Sequence, residues 1–289
     1  MTSALLTDLY ELTMLEAARE AGTASRRCVF EVFTRSLPEG RRYGALAGTS
    51  RVLDAIADFR FDDADLRYLR TAGVLKEETL EHLAEYRFRG DVHGYAEGEL
   101  YFPNSPVLRI EGTFENAVLL ETAVLSILNH DSGVASAGSR MVTAARGRPC
   151  IEMGGRRVHE DAAIAAARAA YVVGFASTSN LAAGAHYRVP VAGTAAHAFT
   201  LLFDTEERRS AHSSPPRGPA PPCWWTPTTS SRRCAQRWRS PAPASARCAW
   251  IRAISGSRRR RCAPCWTRSG PPPRGSPPPA ISTSTGSRS

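Results

Sequence analysis

The stretch RPCIEMGGRRVHEDAAIAAARAAYVVGFASTSNLAAGAHYRVPVAGTAAHAF, residues 148–199, decides the fold because short apolar runs alternate with helical runs. RPCIEMGG is typical of a buried strand that enters a glycine turn, and EDAAIAAARAAYVVG is typical of a helix. VPVAGTAAHAF, residues 189–199, predicts a strand, a loop and a new helix start. Such alternation predicts an α/β fold, a parallel sheet or barrel whose site lies in loops at the carboxyl ends of the strands.

The residues before this stretch predict a mixed helix-and-sheet domain. Residues 3–21 have a helical apolar pattern, and CVFEVFTRSLP, residues 28–38, alternates as a strand does. Helices are expected to about residue 87, residues 90–113 suggest a small β-domain, and residues 115–130 form an apolar helix. We therefore predict an α+β N-terminal domain over residues 1–147 and the first strand–helix units of a barrel over residues 148–207.

The composition changes abruptly after Glu207. Residues 1–207 contain all 28 acidic residues and 21 Lys and Arg, whereas residues 208–289 contain 16 Arg and no Lys, Asp or Glu. The last segment also has no Leu, Val, Met, Phe or Tyr, so it has almost nothing apolar to bury against the entropy of ordering its backbone. We predict that these C-terminal 82 residues, which are Arg/Pro-rich, are disordered.

Several protein classes are disfavoured by the first 207 residues. They contain no apolar run of about 18 residues that could span a bilayer, and the first residues lack the basic start of a signal peptide. Cys28 and Cys150 are too few for a disulfide framework. We expect a cytoplasmic protein that does not enter a membrane.

Four short polar segments are candidates for a site. EMGGRR places Arg156 and Arg157 after a glycine turn, where guanidinium groups suit a carboxylate or pyrophosphate, although a solvated arginine pair is equally compatible. FASTSN, residues 175–180, is hydroxyl-rich and can donate to phosphate or cap a helix. His197, in AGTAAHAF, could meet a phosphoryl donor or be structural. Tyr10, in TDLYEL, could belong to a site or to the core.

Five segments together resemble nicotinate phosphoribosyltransferase in sequence and order. They are TDLYELTM, FEVFTRSLPEGRRYG, FPNSPVLRIEGTFENAVLLETAVLSILNHDS, EMGGRR and PVAGTAAHAFTLLFD, and the resemblance covers residues 4–207. It implies an incomplete type II phosphoribosyltransferase α/β barrel after the N-terminal domain. It also implies a reaction in NAD biosynthesis that joins nicotinate to 5-phosphoribosyl-1-pyrophosphate, driven by ATP hydrolysis, with ATP and Mg²⁺ as cofactors. No metal ligands are assigned.

The resemblance also implies roles for single residues. His197 matches the histidine that ATP phosphorylates, and Tyr10 matches a tyrosine that stacks on the pyridine ring from the neighbouring subunit of a homodimer. Thr194 and Arg156 match nicotinate contacts. Ser179 stands where the related nicotinamide enzyme has an aspartate, which favours the acid as substrate.

The phosphoribosyl pyrophosphate is expected to contact Arg156, Arg157 and Ser177. Two positions depart from the family. Gly155 replaces a usual Ser or Thr, and Arg188 replaces a usual Gly, which is expected to cost loop geometry.

The segment after Glu207 is explained by a change of reading frame. If codons start at the third base of each written codon, Cys223-Trp224-Trp225-Thr226 becomes Leu-Val-Asp, which begins the family motif LVDTYD. Residues 248–257 permit RLDSGDLGV, and residues 280–285 permit the motif DLDEY. We therefore expect the frame to change between Glu206 and Arg209, and the chain as written to have little or no activity.

Other readings remain open at this stage. The arginine-rich segment could bind nucleic acid through charge and its Trp residues. The CAPC sequence at residues 262–265 could suggest zinc, but no second pair has a suitable spacing. Within the enzymes, nicotinamide or quinolinate phosphoribosyltransferase is the alternative; Ser179 argues against the first and His197 against the second.

Overall fold

The computed structural model describes residues 3–193 and 197–204, and the following account concerns those residues. After a 3-10 turn at Ser3–Leu6, the helices are α1 (Leu9–Glu20), α2 (Thr49–Asp58), α3 (Asp63–Ala72), α4 (Glu77–Ala84), α5 (Phe114–Ala117), α6 (Glu121–Ala145), α7 (Glu160–Val172), α8 (Leu181–Tyr187) and α9 (His197–Leu201). The strands are β1 (Arg27–Val32), β2 (Gly44–Ala45), β3 (Gly90–Gly94), β4 (Leu100–Tyr101), β5 (Leu108–Thr113), β6 (Ile151–Glu152) and β7 (Ser177–Thr178).

The N-terminal part contains an antiparallel sheet in the order β1–β5–β3, with a second antiparallel pair, β2–β4. More exposed and less exposed positions alternate along β1 and β5, because successive side chains point to opposite faces of a strand. The strands predicted in residues 90–113 are present as β3, β4 and β5. They pair with β1 and β2 as well as with each other, so they do not form a sheet of their own.

The main core lies between this sheet and the helices. Its largest fully buried apolar side chains include Leu15, Leu46, Phe59, Leu80, Leu83, Leu108, Leu119 and Leu120. Burial of each such side chain contributes roughly 1.5–3 kcal/mol. The predicted apolar helix is present, but it begins as α5, continues through a 3-10 turn at Val118–Leu120, and becomes α6.

The long helix α6 carries two buried serines for a structural reason. The Ser136 hydroxyl accepts from Ala45 N at 2.9 Å, and the Ser132 hydroxyl accepts from Ala47 N at 3.2 Å. These hydroxyls satisfy backbone groups in and after β2 that would otherwise be buried without partners. Small side chains on α6 thus allow a strand to lie directly against the helix.

The predicted helix over residues 3–21 is interrupted. Asp8 has an extended backbone, and α1 begins only at Leu9. The break places Thr7 next to Glu11, whose carboxylate is fully buried and also accepts from Thr122 N at 2.9 Å. The cost of the break is offset by pairing a buried carboxylate with the first turn of α6.

The last part shows the predicted parallel strand–helix alternation. β6 pairs in parallel with β7, with Ile151 opposite Ser177 and Glu152 opposite Thr178. A parallel bridge joins Thr178 to Val191. Helix α7 connects β6 to β7, and α8 connects β7 to Val191, so the mixed α/β class is confirmed, as the first units of a parallel sheet and not as a closed barrel.

The domain boundary at residue 147 is untested and stays a prediction, although α6 ends at Ala145 and β6 begins at Ile151. The predicted out-of-frame and disordered segment, residues 208–289, lies outside the described residues.

Candidate active site at the carboxyl ends of the parallel strands

Three loops meet at one edge of the parallel sheet. They follow β6, β7 and the bridged residue Val191, and they comprise residues 153–159, residues 179–180 and the residues after 191. The register is held by backbone bonds from Thr178 N to Pro190 O and from Ala192 N to Thr178 O, both 2.9 Å. Because parallel strands end at the same edge, side chains in these loops can face one ligand.

The loop after β6 presents two free positive charges. Arg156 and Arg157 are both exposed, and among residues 3–193 and 197–204 neither guanidinium has an ion-pair partner. The loop itself is a turn in which Arg157 N donates to Gly154 O at 2.7 Å. Two unpaired guanidinium groups on an ordered turn are suited to an anion with several oxygen atoms.

Gly155, which departs from the Ser or Thr that the resemblance implies, has open space around it. The nearest neighbour of a Cβ atom built there is the Asn180 side-chain nitrogen, at 4.0 Å. The departure to glycine is therefore not required by crowding at the Cβ position.

The two predicted serines at the end of β7 differ in how exposed they are to solvent. Ser179 is exposed, while Ser177 is only 1 % exposed and its hydroxyl has no hydrogen-bond partner in the described part of the chain. Neither serine caps α8. The Asn180 side chain does so by accepting from Ala183 N at 2.9 Å. The Ser179 hydroxyl is consequently available at the site edge, and the assignment of Ser177 to a phosphoribosyl contact stays a prediction.

The third loop is described only in part. Gly193 is exposed, and His197 is the first residue of α9. Thr194 and the side chain of His197 lie outside the described residues. Their predicted roles stay predictions.

Arg188 ends α8 in the left-handed backbone conformation, with φ 56° and ψ 26°. This conformation is strained for a residue with a Cβ atom and is usual for glycine at the end of a helix. The expected cost of an arginine at this position is therefore present as backbone strain, three residues before the bridged residue Val191.

Tyr10 does not belong to the core, which was the alternative to a role in a site. It lies on α1 and is 43 % exposed, among other exposed apolar side chains at Leu5, Leu6, Leu9 and Met14. Desolvation raises the pKa of Tyr10 above its usual 10.0, and nearby Glu121 and Glu11 add to this, although a hydrogen bond with Thr122 opposes it. An exposed aromatic residue in an apolar patch is suited to a contact with another molecule.

Sequence reasoning missed Glu152 and Thr178, which connect the first two loops through side-chain hydrogen bonds. The available signal was an acidic residue at the end of a short apolar strand, directly before a glycine turn. Its importance depends on Thr178, 26 residues later, and this pairing is visible only in the fold.

The described residues include no cluster of three or more His, Cys, Asp or Glu side chains that could ligate a metal ion. The roles of ATP and Mg²⁺ stay predictions.

Among residues 3–193 and 197–204, no helix has the length and hydropathy that a bilayer-spanning segment needs.

Comparisons with a family model and with the sequences of known proteins point to the same family. Residues 5–129 match the model of the nicotinate phosphoribosyltransferase (NAPRTase) N-terminal domain. Nicotinate phosphoribosyltransferase pncB1 of Mycobacterium tuberculosis is 63 % identical over 198 residues, which are 68 % of this chain and 44 % of the relative. Nicotinate phosphoribosyltransferase of Bacillus subtilis is 37 % identical over 203 residues, which are 70 % of this chain and 41 % of the relative.

Solved structures agree with this relationship. Human nicotinic acid phosphoribosyltransferase superposes with a TM-score of 0.62 at 36 % identity, over 68 % of this chain and 40 % of that one. Nicotinate-nucleotide pyrophosphorylase from Pyrococcus furiosus gives a TM-score of 0.58 at 24 % identity, over 72 % of this chain and 46 % of that one, and supports the fold alone. The chain spans less than half the length of these relatives.

Proposed function

Because the matched part of this chain is an N-terminal segment of the nicotinate phosphoribosyltransferase family, we propose that the protein serves NAD biosynthesis by joining nicotinate to 5-phosphoribosyl-1-pyrophosphate. The pyridine nitrogen would form a bond to C1 of the ribose while the bond from C1 to pyrophosphate breaks. Nicotinate mononucleotide and pyrophosphate would be the products.

The observation that carries this proposal is a pair of guanidinium groups that have no ion-pair partner among the described residues and that share one sheet edge with an exposed hydroxyl. Arg156 and Arg157 would bind the pyrophosphate oxygens and stabilise the charge that develops as pyrophosphate leaves. Ser179 would donate to the nicotinate carboxylate. An aspartate at this position would instead repel a carboxylate and accept from an amide, so Ser179 supports the acid as substrate.

We also propose ATP coupling through His197. A phosphoryl group transferred from ATP to the imidazole, and later lost to water, would drive the equilibrium toward the mononucleotide. Support comes from the resemblance and from the position of His197 shortly after Val191, the residue that bridges in parallel to Thr178 of β7. ATP supplies the phosphoryl group, and Mg²⁺ would neutralise its phosphate charge.

The test is an assay of nicotinate mononucleotide formation on the gene with its frame restored after codon 206. We expect product from nicotinate and no comparable rate with nicotinamide, and His197→Ala should abolish stimulation by ATP while leaving the ATP-independent rate. Ser179→Asp should raise KM for nicotinate. Product formation by the Ser179→Asp variant at an unchanged KM would contradict the assigned contact.

We propose that residues 208–289 are read out of frame, since the family motifs expected there are absent from the written sequence, and that the chain as written therefore has little or no turnover. One sequencing read through codons 206–210 decides the matter. An unbroken frame whose displaced codons cannot encode LVDTYD would refute the explanation, as would normal turnover by the unaltered chain.

We further propose a cytoplasmic homodimer in which Tyr10 contacts nicotinate bound to the other subunit. The exposed apolar side chains around Tyr10 support this, since Leu6 is 68 % and Leu9 is 52 % exposed. The free thiols Cys28 and Cys150 fit a reducing compartment. Sedimentation of the frame-restored protein tests the dimer, and Leu6→Glu with Leu9→Glu should shift it to the monomer.

A further inference from the structure

The carboxylate of Glu152 accepts one hydrogen bond from the loop after β6 and one from the last residue of β7, directly before the second site loop. One oxygen, Oε1, accepts from the backbone N–H of Gly154, and the other, Oε2, accepts from the Thr178 hydroxyl at 2.6 Å. Ser179 N donates to the Glu152 backbone carbonyl at 2.9 Å. Glu152 thus binds its own loop through one oxygen atom and the neighbouring strand through the other.

The contacts continue beyond these two groups. The Thr178 hydroxyl that donates to Glu152 also accepts from Asn180 N at 3.0 Å, and the Asn180 side chain caps α8. In the other direction, Gly154 O accepts from Arg157 N in the turn that presents the two arginines. A continuous chain of bonds therefore connects the arginine turn to the backbone on both sides of Ser179.

The space around Gly154 is limited by the same carboxylate oxygen of Glu152. A Cβ atom built at this position would lie 2.7 Å from the Glu152 carboxylate oxygen, so any side chain would displace the carboxylate. The glycine turn after β6 is therefore fitted to the position of the Glu152 side chain. The neighbouring Gly155 has no such restriction.

The hydrogen bonds of Glu152 are suited to holding its carboxylate in one position. Glu152 is partly buried, and a carboxylate that accepts from both a backbone N–H and a hydroxyl forms charge-assisted bonds that are stronger than neutral ones. Thr178 is fully buried and holds the hydroxyl in one place. Binding groups that are already oriented lose less entropy when a ligand arrives.

We propose that Glu152 is a positioning residue that fixes the arginine turn and the Ser179 loop relative to each other, so that a pyrophosphate-bearing ligand meets both in their binding geometry. Glu152 touches no ligand in this role and acts through Gly154 and Thr178. The functional part of this inference depends on the proposed function, whereas the coupling of the two loops does not.

The coupling is tested by amide hydrogen exchange on the full chain. Glu152→Gln keeps the size of the side chain but leaves only one acceptor oxygen, so it cannot accept from both the Gly154 N–H and the Thr178 hydroxyl, and Thr178→Val removes that hydroxyl. In both variants, Asn180 N–H should exchange about tenfold faster, as expected from the loss of one hydrogen bond. Thr178→Ser should restore the wild-type rate, because it keeps the hydroxyl.

The matched control is Glu160→Gln, which removes one negative charge from the first residue of α7, where the side chain is 84 % exposed. It should leave exchange at Asn180 unchanged. Unchanged exchange at Asn180 in Glu152→Gln, with global unfolding also unchanged, would overturn the coupling. So would an equal acceleration in the Glu160→Gln control.

The functional part is tested by calorimetric titration with inorganic pyrophosphate, on the same variants made in the frame-restored protein. Glu152→Gln and Thr178→Val should weaken binding about tenfold or more, Thr178→Ser and Glu160→Gln should bind as the wild type does, and the thermal midpoints should show that all are folded. Faster exchange with undiminished affinity would overturn the positioning role. A frame-restored wild type that fails to bind pyrophosphate overturns the proposed function and this role with it, and the exchange rates still decide the coupling.

Discussion

Replacing Arg168 with Met is expected to destabilise the folded chain far more than the same replacement at Arg70, although both arginines form two-pronged pairs with a glutamate. The Arg168 guanidinium donates to both Glu97 oxygens at 2.7 and 2.6 Å, and the two side chains are 13 % and 18 % exposed. The Arg70–Glu77 side chains are 51 % and 53 % exposed. The Arg168–Glu97 and Arg70–Glu77 pairs therefore differ chiefly in burial, although Arg168 also lies over the Tyr187 ring.

The magnitude follows from what remains at Glu97 after the change. Removal of one partner from a buried pair costs about 3–5 kcal/mol, because the remaining charge has no counterion. Glu97 is still partly solvated and would still accept from Gly48 N, at 2.6 Å, and from the backbone of Ser50. We therefore expect a loss of about 2–3 kcal/mol, which lowers the thermal midpoint by roughly 4–12 °C for a folded region of this size.

The Arg168–Glu97 pair also predicts how the stability of the fold depends on pH. Burial raises the pKa of Glu97, but the Arg168 hydrogen bond and charge and the backbone N–H groups of Gly48 and Ser50 outweigh it and lower the pKa below its usual 4.5. A lowered pKa contributes stability that is present above pH 4.5 and is lost as the pH falls through the lowered value. The difference between wild type and Arg168→Met should therefore be full at pH 7 and shrink as the pH falls below 4.5, through the lowered pKa of Glu97.

The assay is thermal unfolding by circular dichroism at pH 7 and through the acid range, on wild type, Arg168→Met and Arg70→Met. Arg70→Met should leave the midpoint nearly unchanged, since exposed pairs are screened by water. Equal midpoint losses in the two variants would refute the argument from burial. A stability difference that stays constant down to pH 3 would refute the assigned role of the Glu97 charge.

Three further predictions concern stability and can be measured by denaturant unfolding. Arg188→Gly should stabilise by about 0.5–1 kcal/mol, because it relieves the left-handed backbone conformation; a loss of stability would contradict this. Gly44→Ala should cost about 1–3 kcal/mol, because the new Cβ atom would lie 2.1 Å from the Tyr101 ring; an unchanged midpoint would show that the ring moves freely. Glu11→Gln should cost about 1–3 kcal/mol, because the buried carboxylate accepts from both Thr122 N and its hydroxyl, and Thr122→Val in the Gln background should cost less than in the wild type.

The sequence predicted the element types well where the local pattern was strong. The Ala-rich run became α7, the run CIEMGG contained β6, and the Gly- and Pro-punctuated residues 90–113 formed β3, β4 and β5. These element types depend on neighbours in the chain, so a single sequence contains their cause. The cost expected at Arg188 came from the resemblance, which has glycine there, and the structure gives its form as a left-handed backbone conformation.

The break before α1 was not predicted. The apolar pattern of residues 3–21 continues through Thr7 and Asp8, and helix propensity alone does not end there. The break is selected by the burial of Glu11 against Thr122, 111 residues later in the chain. A long-range contact thus overrides a local preference that differs by less than a kilocalorie per residue.

The sequence by itself determined that loops with arginines, hydroxyls and a histidine follow the strands of a parallel α/β unit, because polarity and periodicity are local properties. Only the tertiary structure decided which charges are paired. Arg168 finds Glu97, 71 residues away, and Glu152 finds Thr178, while Arg156 and Arg157 have no such partner among the described residues. The physical reason is that a charge is neutralised by whichever groups packing brings within hydrogen-bond distance, and packing is a property of the whole fold.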